Sequence, residues 1–338
     1  MQKNMFSAQR RFDPLCLLIV LLFQIVFGEK LFAQTNINHS KLSSENLSSE
    51  NLARSLYIAT SHKANAIVPT DVASNVNEFT TADYQKHVGE LRKKIPSNDF
   101  HIVLQKPFIV IGDESLERVR SRSLYTVKWA VDLLKKDFFK KNPNQIIDIW
   151  LFKNKRSYEK HCKEIFDITP STPYGFYSST KKALIMNIST GGGTLVHEIV
   201  HPFIESNFPN CPSWFNEGLA SLYEQSKEEN KKIVGLTNWR LRGLQIHIKD
   251  NKVPSFKELC STSTYQFYQQ DPGTNYSQAR YLCYFLQQKG KLRTFYHEFV
   301  RNSKSDPTGF ETLKKVLGET DMDDFKKKWE RSTMELRF

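Results

Sequence analysis

The sequence is poor in cysteine, with five in 338 residues, and no two of them form a Cys-x-x-Cys pair. This absence argues against a structural zinc knot held by thiolates. Beyond an N-terminal segment, no apolar run approaches the roughly 18 residues of a membrane-spanning helix. Hydrophobic residues make up 39% of the chain and aromatic residues 12%, which excludes wholesale disorder.

The formal net charge is +12, and basic proteins attract the phosphate backbones of nucleic acids. The lysines, however, are scattered beside apolar residues at helical spacing, which is typical of solvated helix faces. We therefore expect no nucleic-acid partner. The main groups are Lys135-Lys136, Lys140-Lys141, Lys231-Lys232, Lys314-Lys315 and Lys326-Lys327-Lys328.

The N-terminal segment has the pattern of an export signal. Basic residues precede an apolar run from Leu15 to Phe27, and the small residues Gly28 and Ala33 follow. The run is too short to span a bilayer comfortably, so residues 1–33 are predicted to be a cleavable signal peptide, with an uncleaved anchor as the alternative. The mature protein is then expected in the periplasm or outside the cell, without stable membrane insertion.

Four cysteines remain after removal of the signal, namely Cys162, Cys211, Cys260 and Cys283. In an oxidising compartment they are able to form up to two disulfides. Four free, buried thiols are the other possibility, and the sequence does not decide between them. It leaves the oligomeric state open as well.

Composition divides the rest of the chain into a leader and a domain. Residues 34–95 are rich in Ser, Asn, Thr and Ala and predict a flexible or partly helical leader, with a short amphipathic helix at 82–95. Residues 96–338 form the predicted domain. Its first half shows strands at 101–104 and 108–111, a helix at about 114–140, a strand at 145–152, a helix at 156–166 and a hairpin at 174–187.

After Asn187 every strong pattern is helical. The predicted fold class is therefore α+β, with a small mixed sheet followed by a helical half. The residues that suggest chemistry lie at the junction of the two halves.

The junction contains His197-Glu198-Ile-Val-His201, a His-Glu-x-x-His motif on a predicted helix. Residues four apart lie one turn apart on one face, so both imidazoles can bind one metal ion while Glu198 lies beside it. Zinc suits such a site because it accepts nitrogen and carboxylate ligands in a tetrahedral set. An ordinary amphipathic helix with two partly exposed histidines is the alternative.

A second segment, Pro212 to Tyr223, supplies the missing ligand. A helix that begins near Ser213 places Glu217 in its early turns, and the 15 residues between His201 and Glu217 allow the chain to reverse direction. Glu217 alone would more often be a surface carboxylate. Its predicted role as a zinc ligand depends on the upstream motif.

These segments resemble the gluzincin metallopeptidases, the thermolysin-like and aminopeptidase-N-like group of the peptidase MA-like superfamily. In that family His-Glu-x-x-His precedes an Asn-Glu-Gly-x-Ala segment, which here is Asn216-Glu217-Gly218-Leu219-Ala220. The resemblance implies a zincin-like active-site helix and a Zn²⁺ ion held by His197, His201 and Glu217. It also implies Glu198 as the general base that activates water.

The resemblance extends to a tyrosine and to a strand. Gluzincins carry an oxyanion-binding tyrosine on a downstream helix, and Tyr276 in Asn275-Tyr276-Ser277-Gln278-Ala279 matches that position, with Tyr281 as the second candidate. They also pair the substrate backbone with an edge strand, for which residues 183–188 are the candidate.

Two features depart from the family pattern. Pro202 directly follows His201, removes one helical hydrogen bond and disfavours helical geometry at the residue before it, so a kinked or shortened active-site helix is expected. The Gly-x-Met-x-Asn strand with which aminopeptidase-N-like enzymes bind a free amino terminus is missing. The resemblance therefore does not indicate an exopeptidase.

The predicted function is zinc-dependent hydrolysis of peptide bonds, with a peptide or protein as substrate. The alternative is a catalytically silent protein that keeps the zincin fold for binding or for a structural role. Neither the substrate nor the cleavage preference follows from the sequence.

Overall fold

The computed structural model describes residues 79–338, which form a mixed five-stranded sheet followed by a helical half. The fold is α+β, as the sequence predicts. The predicted signal peptide at 1–33 and most of the predicted leader at 34–95 lie outside the described residues. Among the described helices, none is both long enough and apolar enough to cross a membrane.

The sheet has the order β1-β2-β3-β5-β4. Its central pairs, β2–β3 and β3–β5, are parallel, whereas the outer pairs, β1–β2 and β4–β5, are antiparallel. The strands are β1 (His101–Gln105), β2 (Phe108–Gly112), β3 (Ile147–Phe152), β4 (Gly175–Ser178) and β5 (Ala183–Asn187).

Helices surround and follow the sheet. The first half contains α1 (Thr81–Lys94), α2 (Leu116–Arg122), a π-helical segment (Ser123–Lys128), α3 (Trp129–Asp137) and α4 (Lys155–Phe166). The second half contains α5 (Gly192–Asn207), α6 (Ser213–Leu222), α7 (Arg240–Lys249), α8 (Phe256–Cys260), α9 (Thr264–Gln269), α10 (Pro272–Gln288), α11 (Leu292–Asn302), α12 (Phe310–Leu317) and α13 (Met322–Glu335).

The three central strands are buried on both faces, which explains why their sequences are almost wholly apolar. Because successive side chains of a strand point to opposite faces, alternate residues enter two separate cores. Ile149 and Leu184 join the larger core with the helical half, whereas Trp150 and Ile185 join the smaller core with α1 and α4.

The predicted hairpin at 174–187 is present as β4 and β5, but the prediction of residues 183–188 as the edge strand was wrong. β5 lies inside the sheet between β3 and β4, and β4 forms the edge. The sequence Ala-Leu-Ile-Met-Asn is fully buried because a core packs on each face of the sheet at β5. The partly exposed sequence Gly-Phe-Tyr-Ser occupies the edge instead.

Helix α1 packs on the sheet although it falls within the predicted leader. A capping box at Thr80 and Asp83 begins the helix, and Tyr84 and Leu91 are buried in the smaller core. Helix α1 is thus packed together with the sheet in one compact unit.

A second hairpin, absent from the predicted elements, follows α6. Strands β6 (Ser226–Glu229) and β7 (Lys232–Gly235) are antiparallel and are joined by Asn230 and Lys231, both at positive φ. Two consecutive residues at positive φ form a two-residue hairpin turn whose backbone twist matches that of the flanking strands. The strands escaped prediction because β6 is charged and exposed and has no apolar alternation.

All four cysteines within the described residues are free thiols. Cys162 is buried in the smaller core, Cys260 and Cys283 are buried in the larger core, and Cys211 is half-buried. The sequence left open disulfides or free thiols, and the structure has four free thiols.

Helices α6 and α10 approach each other closely at Gly218. A methyl group built on Gly218 would lie 2.9 Å from the main-chain oxygen of Ala279 and 3.1 Å from Sγ of Cys283. Nearby, the buried guanidinium of Arg280 donates to the main-chain oxygen of Ser221 (3.0 Å) and so offsets the negative end of α6. Glycine in the Asn-Glu-Gly segment is therefore a packing requirement.

We predict that Gly218→Ala lowers the free energy of unfolding by about 1–3 kcal/mol, because an added methyl group overpacks this contact. Gly243→Ala on α7 is the matched control, since nothing lies within 4 Å of the point that its added methyl group would occupy. The control should raise stability by roughly 0.5–1 kcal/mol through helix propensity alone. Urea unfolding of the two variants measures the difference, and equal stabilisation of both would refute the packing argument.

Candidate metal centre

Helix α5 brings three side chains of the His-Glu-x-x-His motif together. Within the described residues His197, Glu198 and His201 form a group in which one ligand atom of each lies within 4.8 Å of the others. The imidazole centroids of His197 and His201 are 4.9 Å apart. The helix does not end at Pro202 but continues to Asn207, so His201 stays on the same face as His197.

Helix α6 places Glu217 beside His197, although Glu217 is not a member of this group of three. Its Oε2 lies 3.2 Å from Nε2 of His197, and its side chain is almost fully buried. A tetrahedral zinc ion with bonds of about 2.0–2.1 Å holds its ligand atoms roughly 3.3 Å apart. The separation of these two atoms therefore matches that of two ligands on one zinc ion.

The two oxygens of Glu217 have different surroundings. Oε1 accepts a hydrogen bond of 2.5 Å from the hydroxyl of Tyr268. Oε2 is buried and has no hydrogen-bond partner among the described residues. A buried carboxylate oxygen without a hydrogen bond is costly, and a cation at this point, either a protonated His197 or a metal ion, would remove the cost. The oxygen without a hydrogen bond and the adjacent group of His197, Glu198 and His201 are compatible with a bound cation.

Each imidazole has an acceptor close to its Nδ1 atom. Nδ1 of His201 donates to Oδ1 of Asn216 at 3.0 Å, and Nδ1 of His197 lies 3.2 Å from Oε1 of Glu224. The Glu224 contact is close but lacks hydrogen-bond alignment. Such outer partners orient metal-binding histidines and leave Nε2 for the metal.

Glu224 is itself held in place. Arg240 donates to it from Nη2 (2.9 Å) and Nε (3.2 Å), and Nδ2 of Asn238 donates at 3.2 Å. The guanidinium of Arg240 lies over the ring of Trp239 at 4.2 Å and over that of Tyr276 at 5.2 Å. Glu224 is thus an oriented carboxylate behind His197.

The main chain of Glu224 also touches helix α5. A methyl group built on Gly193 would lie 2.1 Å from the main-chain oxygen of Glu224, which is an impossible distance. Gly193 is four residues before His197, so one residue contacts α5 at two points one turn apart. The glycine before the motif therefore permits this close contact.

The electrostatics of the centre favour positive charge. Burial opposes protonation of His197, yet Glu217 and Glu224 raise the pKa of His197 to about 10. Burial likewise opposes ionisation of Glu217, but His201 and His197 hold the pKa of Glu217 at about 2. A fully buried imidazole that prefers its cationic form indicates a site that stabilises a cation.

The side chain of Glu198 extends from α5 to the edge strand β4. Its Oε2 accepts a hydrogen bond of 2.8 Å from the backbone N–H of Tyr177 on β4 and lies 3.9 Å from Nε2 of His201. Burial raises the pKa of Glu198 above its ordinary value, although both imidazoles oppose the shift. A carboxylate with a raised pKa beside a metal site is suited to proton transfer at neutral pH.

The two tyrosine candidates occupy different places. Tyr276 lies near the centre, with its ring 6.1 Å from that of Tyr268, and its hydroxyl has no hydrogen-bond partner within residues 79–338. Burial raises the pKa of Tyr276, and the charge of Glu217 adds to the shift. Tyr281 instead accepts from the N–H of Asn238 and donates to its carbonyl oxygen, so its hydroxyl is already engaged.

Sequence reasoning missed three residues of this centre. Glu224 could have been found, because it follows Glu217 by seven residues, a spacing that places two side chains on one helix face. Arg240 and Tyr268 carry no such signal, since they come from α7 and α9, far along the chain. Their places depend on how the helical half folds back over α6.

A comparison of the chain with protein-family models gives no match, and a comparison with curated proteins gives none.

We predict that Glu224→Gln raises the dissociation constant for Zn²⁺ by about 10–100-fold, because the partner behind His197 loses its charge. Glu229→Gln on β6 is the matched control, since Glu229 is exposed and pairs with Lys227 at the surface. Competition with a chromophoric chelator gives both constants. A Glu224→Gln variant that folds normally and keeps the affinity of the parent protein would refute the role of Glu224.

Proposed function

We propose that this chain is a zinc-dependent peptidase in which His197, His201 and Glu217 bind the metal and Glu198 is the general base. The observation that carries the proposal is the buried Oε2 of Glu217, which has no hydrogen-bond partner among the described residues and lies 3.2 Å from Nε2 of His197. The order and spacing of the motifs support the same assignment. The predicted signal peptide suggests that the reaction takes place in an exported compartment.

Zinc, when bound, supplies a Lewis acid that polarises a carbonyl group and makes water acidic enough to react near neutral pH. Glu198 accepts the proton of the attacking water and later returns it to the leaving amine. The N–H of Tyr177 orients the carboxylate for this task through Oε2. The hydroxyl of Tyr276, which has no hydrogen-bond partner among the described residues, donates a hydrogen bond to the oxyanion that develops on the carbonyl oxygen.

The edge strand suggests where a peptide binds. β4 pairs only with β5 in the sheet, and the N–H of Tyr177 points from β4 toward Glu198. An extended peptide adds to an exposed sheet edge through main-chain hydrogen bonds. A substrate aligned with β4 would present its backbone carbonyl groups to Glu198 and the metal ligands.

We predict that Glu198→Gln lowers kcat by about 10²–10⁴-fold and leaves the zinc content unchanged, because an amide cannot accept the proton and Glu198 is not proposed as a ligand. The control is Glu205→Gln on the same helix. Glu205 is exposed and accepts from the hydroxyl of Tyr177, which a glutamine can also do. Undiminished hydrolysis by Glu198→Gln would refute the general base.

We predict that Tyr276→Phe lowers kcat by about 10²–10³-fold at unchanged zinc content, since it removes one donor to the oxyanion. Tyr281→Phe should instead lower the free energy of unfolding by about 1–3 kcal/mol, because it leaves the N–H of Asn238 without its acceptor. Steady-state kinetics and urea unfolding separate the two effects. A larger loss of kcat in Tyr281→Phe than in Tyr276→Phe would reverse the assignment.

The rival function is that of a silent zincin-fold protein that binds but does not cleave. Metal analysis combined with digestion of a mixed peptide library tests the two together. About one zinc per chain and chelator-sensitive cleavage support the peptidase. Zinc without cleavage of any library member, in a folded protein, supports the rival.

A further inference from the structure

The hydroxyl of Tyr268 donates a hydrogen bond to Oε1 of Glu217. The O···O distance of 2.5 Å is that of a hydroxyl bound to an ionised carboxylate, which is among the stronger hydrogen bonds in proteins. Tyr268 comes from α9, 51 residues after Glu217. It therefore connects a remote helix to a proposed zinc ligand.

This hydrogen bond gives the two oxygens of the Glu217 carboxylate different contacts. Oε1 is engaged by Tyr268, and only Oε2 faces Nε2 of His197. A carboxylate free to rotate is able to bind zinc through one oxygen or through both. With Oε1 held by a hydroxyl, binding through Oε2 alone is the favoured arrangement, and one coordination position stays available for water.

The tyrosine is rigidly supported. A capping box between Ser263 and Gln266 begins α9, and Nδ2 of Asn275 donates to the carbonyl oxygens of Phe267 (3.1 Å) and Gln270 (2.7 Å) at its end. The ring of Tyr268 packs edge-on against Phe267 with centroids 5.3 Å apart. A short helix fastened at both ends holds the hydroxyl in place.

A second hydrogen bond connects α9, which carries Tyr268, to α6, which carries Glu217. The hydroxyl of Ser213, the first residue of α6, donates to Oγ1 of Thr264, the first residue of α9, at 3.3 Å. The helix that carries Tyr268 is thus tied to the helix that carries Glu217. The hydrogen bond from Tyr268 to Glu217 is therefore one of two hydrogen bonds between α9 and α6.

We propose that Tyr268 is a positioning residue that fixes Glu217 as a one-oxygen ligand of the metal. The inference rests on the proposed zinc centre, and it adds a residue outside the two motifs. Tyr268 acts through Glu217 and needs no contact with a substrate. Loss of the Tyr268 hydroxyl should therefore change the affinity for the metal and its coordination directly, and catalysis only as a consequence.

The test compares Tyr268→Phe with Tyr265→Phe in the full chain. Tyr265 lies on the same helix, and 70% of its surface is exposed, so it is a matched control. Chelator competition gives the dissociation constant for Zn²⁺. The absorption spectrum of the Co²⁺-substituted protein reports coordination, because four-coordinate Co²⁺ absorbs more strongly in the visible region than five-coordinate Co²⁺.

We expect Tyr268→Phe to raise the dissociation constant for Zn²⁺ by about 10–100-fold and to weaken the visible absorption of the Co²⁺ form. Tyr265→Phe should change neither. A Tyr268→Phe protein that keeps the dissociation constant within about twofold, with the Co²⁺ spectrum of the parent, overturns the inference. Far-UV circular dichroism checks the fold, and Tyr268→Met, which also lacks the hydroxyl, replaces the phenylalanine variant if that variant does not fold.

The outcomes separate this inference from the proposed function. If the parent protein binds zinc but Glu198→Gln cleaves peptides as fast as the parent, the catalytic proposal fails and the Tyr268 inference is still decided by the metal measurements. If the parent binds zinc and Tyr268→Phe matches it, only the inference fails. A folded parent that binds no zinc overturns both.

Discussion

Buried negative charge is the constraint on which the centre depends. Glu198, Glu217 and Glu224 lie close together and largely out of water, so each carboxylate needs a donor or a cation. Glu224 has the guanidinium of Arg240, and Glu198 has the N–H of Tyr177. Glu217 has Tyr268 for one oxygen and, among the described residues, no hydrogen-bond partner for the other. The carboxylate oxygen without a hydrogen bond is thus a single atom, and it faces the imidazole of His197.

The fold meets this constraint by bringing several helices of the second half into contact with one another and with the edge of the sheet. Helix α5 follows the sheet and carries the histidines, while α6 is pressed against α10 at Gly218 and is neutralised at its end by Arg280. Helix α10 begins beside α9, so Tyr276 and Tyr268 reach the centre from one region. The sheet contributes through its edge strand, β4. Each element thus brings a separate group to the same small volume.

Local patterns predicted much of this fold, and contacts between distant segments explain what they missed. The apolar strands, the hairpin at 174–187 and the α+β class follow from periodicities that a short stretch contains by itself. The position of β5 inside the sheet does not, because a hairpin pattern leaves open which of its strands meets β3. For the centre, the motifs at 197–201 and 216–220 indicated residues that the structure brings together. Arg240 and Tyr268 have no sequence pattern, since tertiary packing alone places them.

The double contact of Glu224 with α5 has a consequence for variation in this chain. Its main-chain oxygen touches Gly193, and its carboxylate lies beside His197, so rotation or sliding of α5 relative to residue 224 would disturb both contacts at once. Helix α5 is therefore held in register by the segment that follows α6. A change of chain length between Glu217 and Glu224 would move residue 224 relative to both Gly193 and His197 and should destabilise this packing.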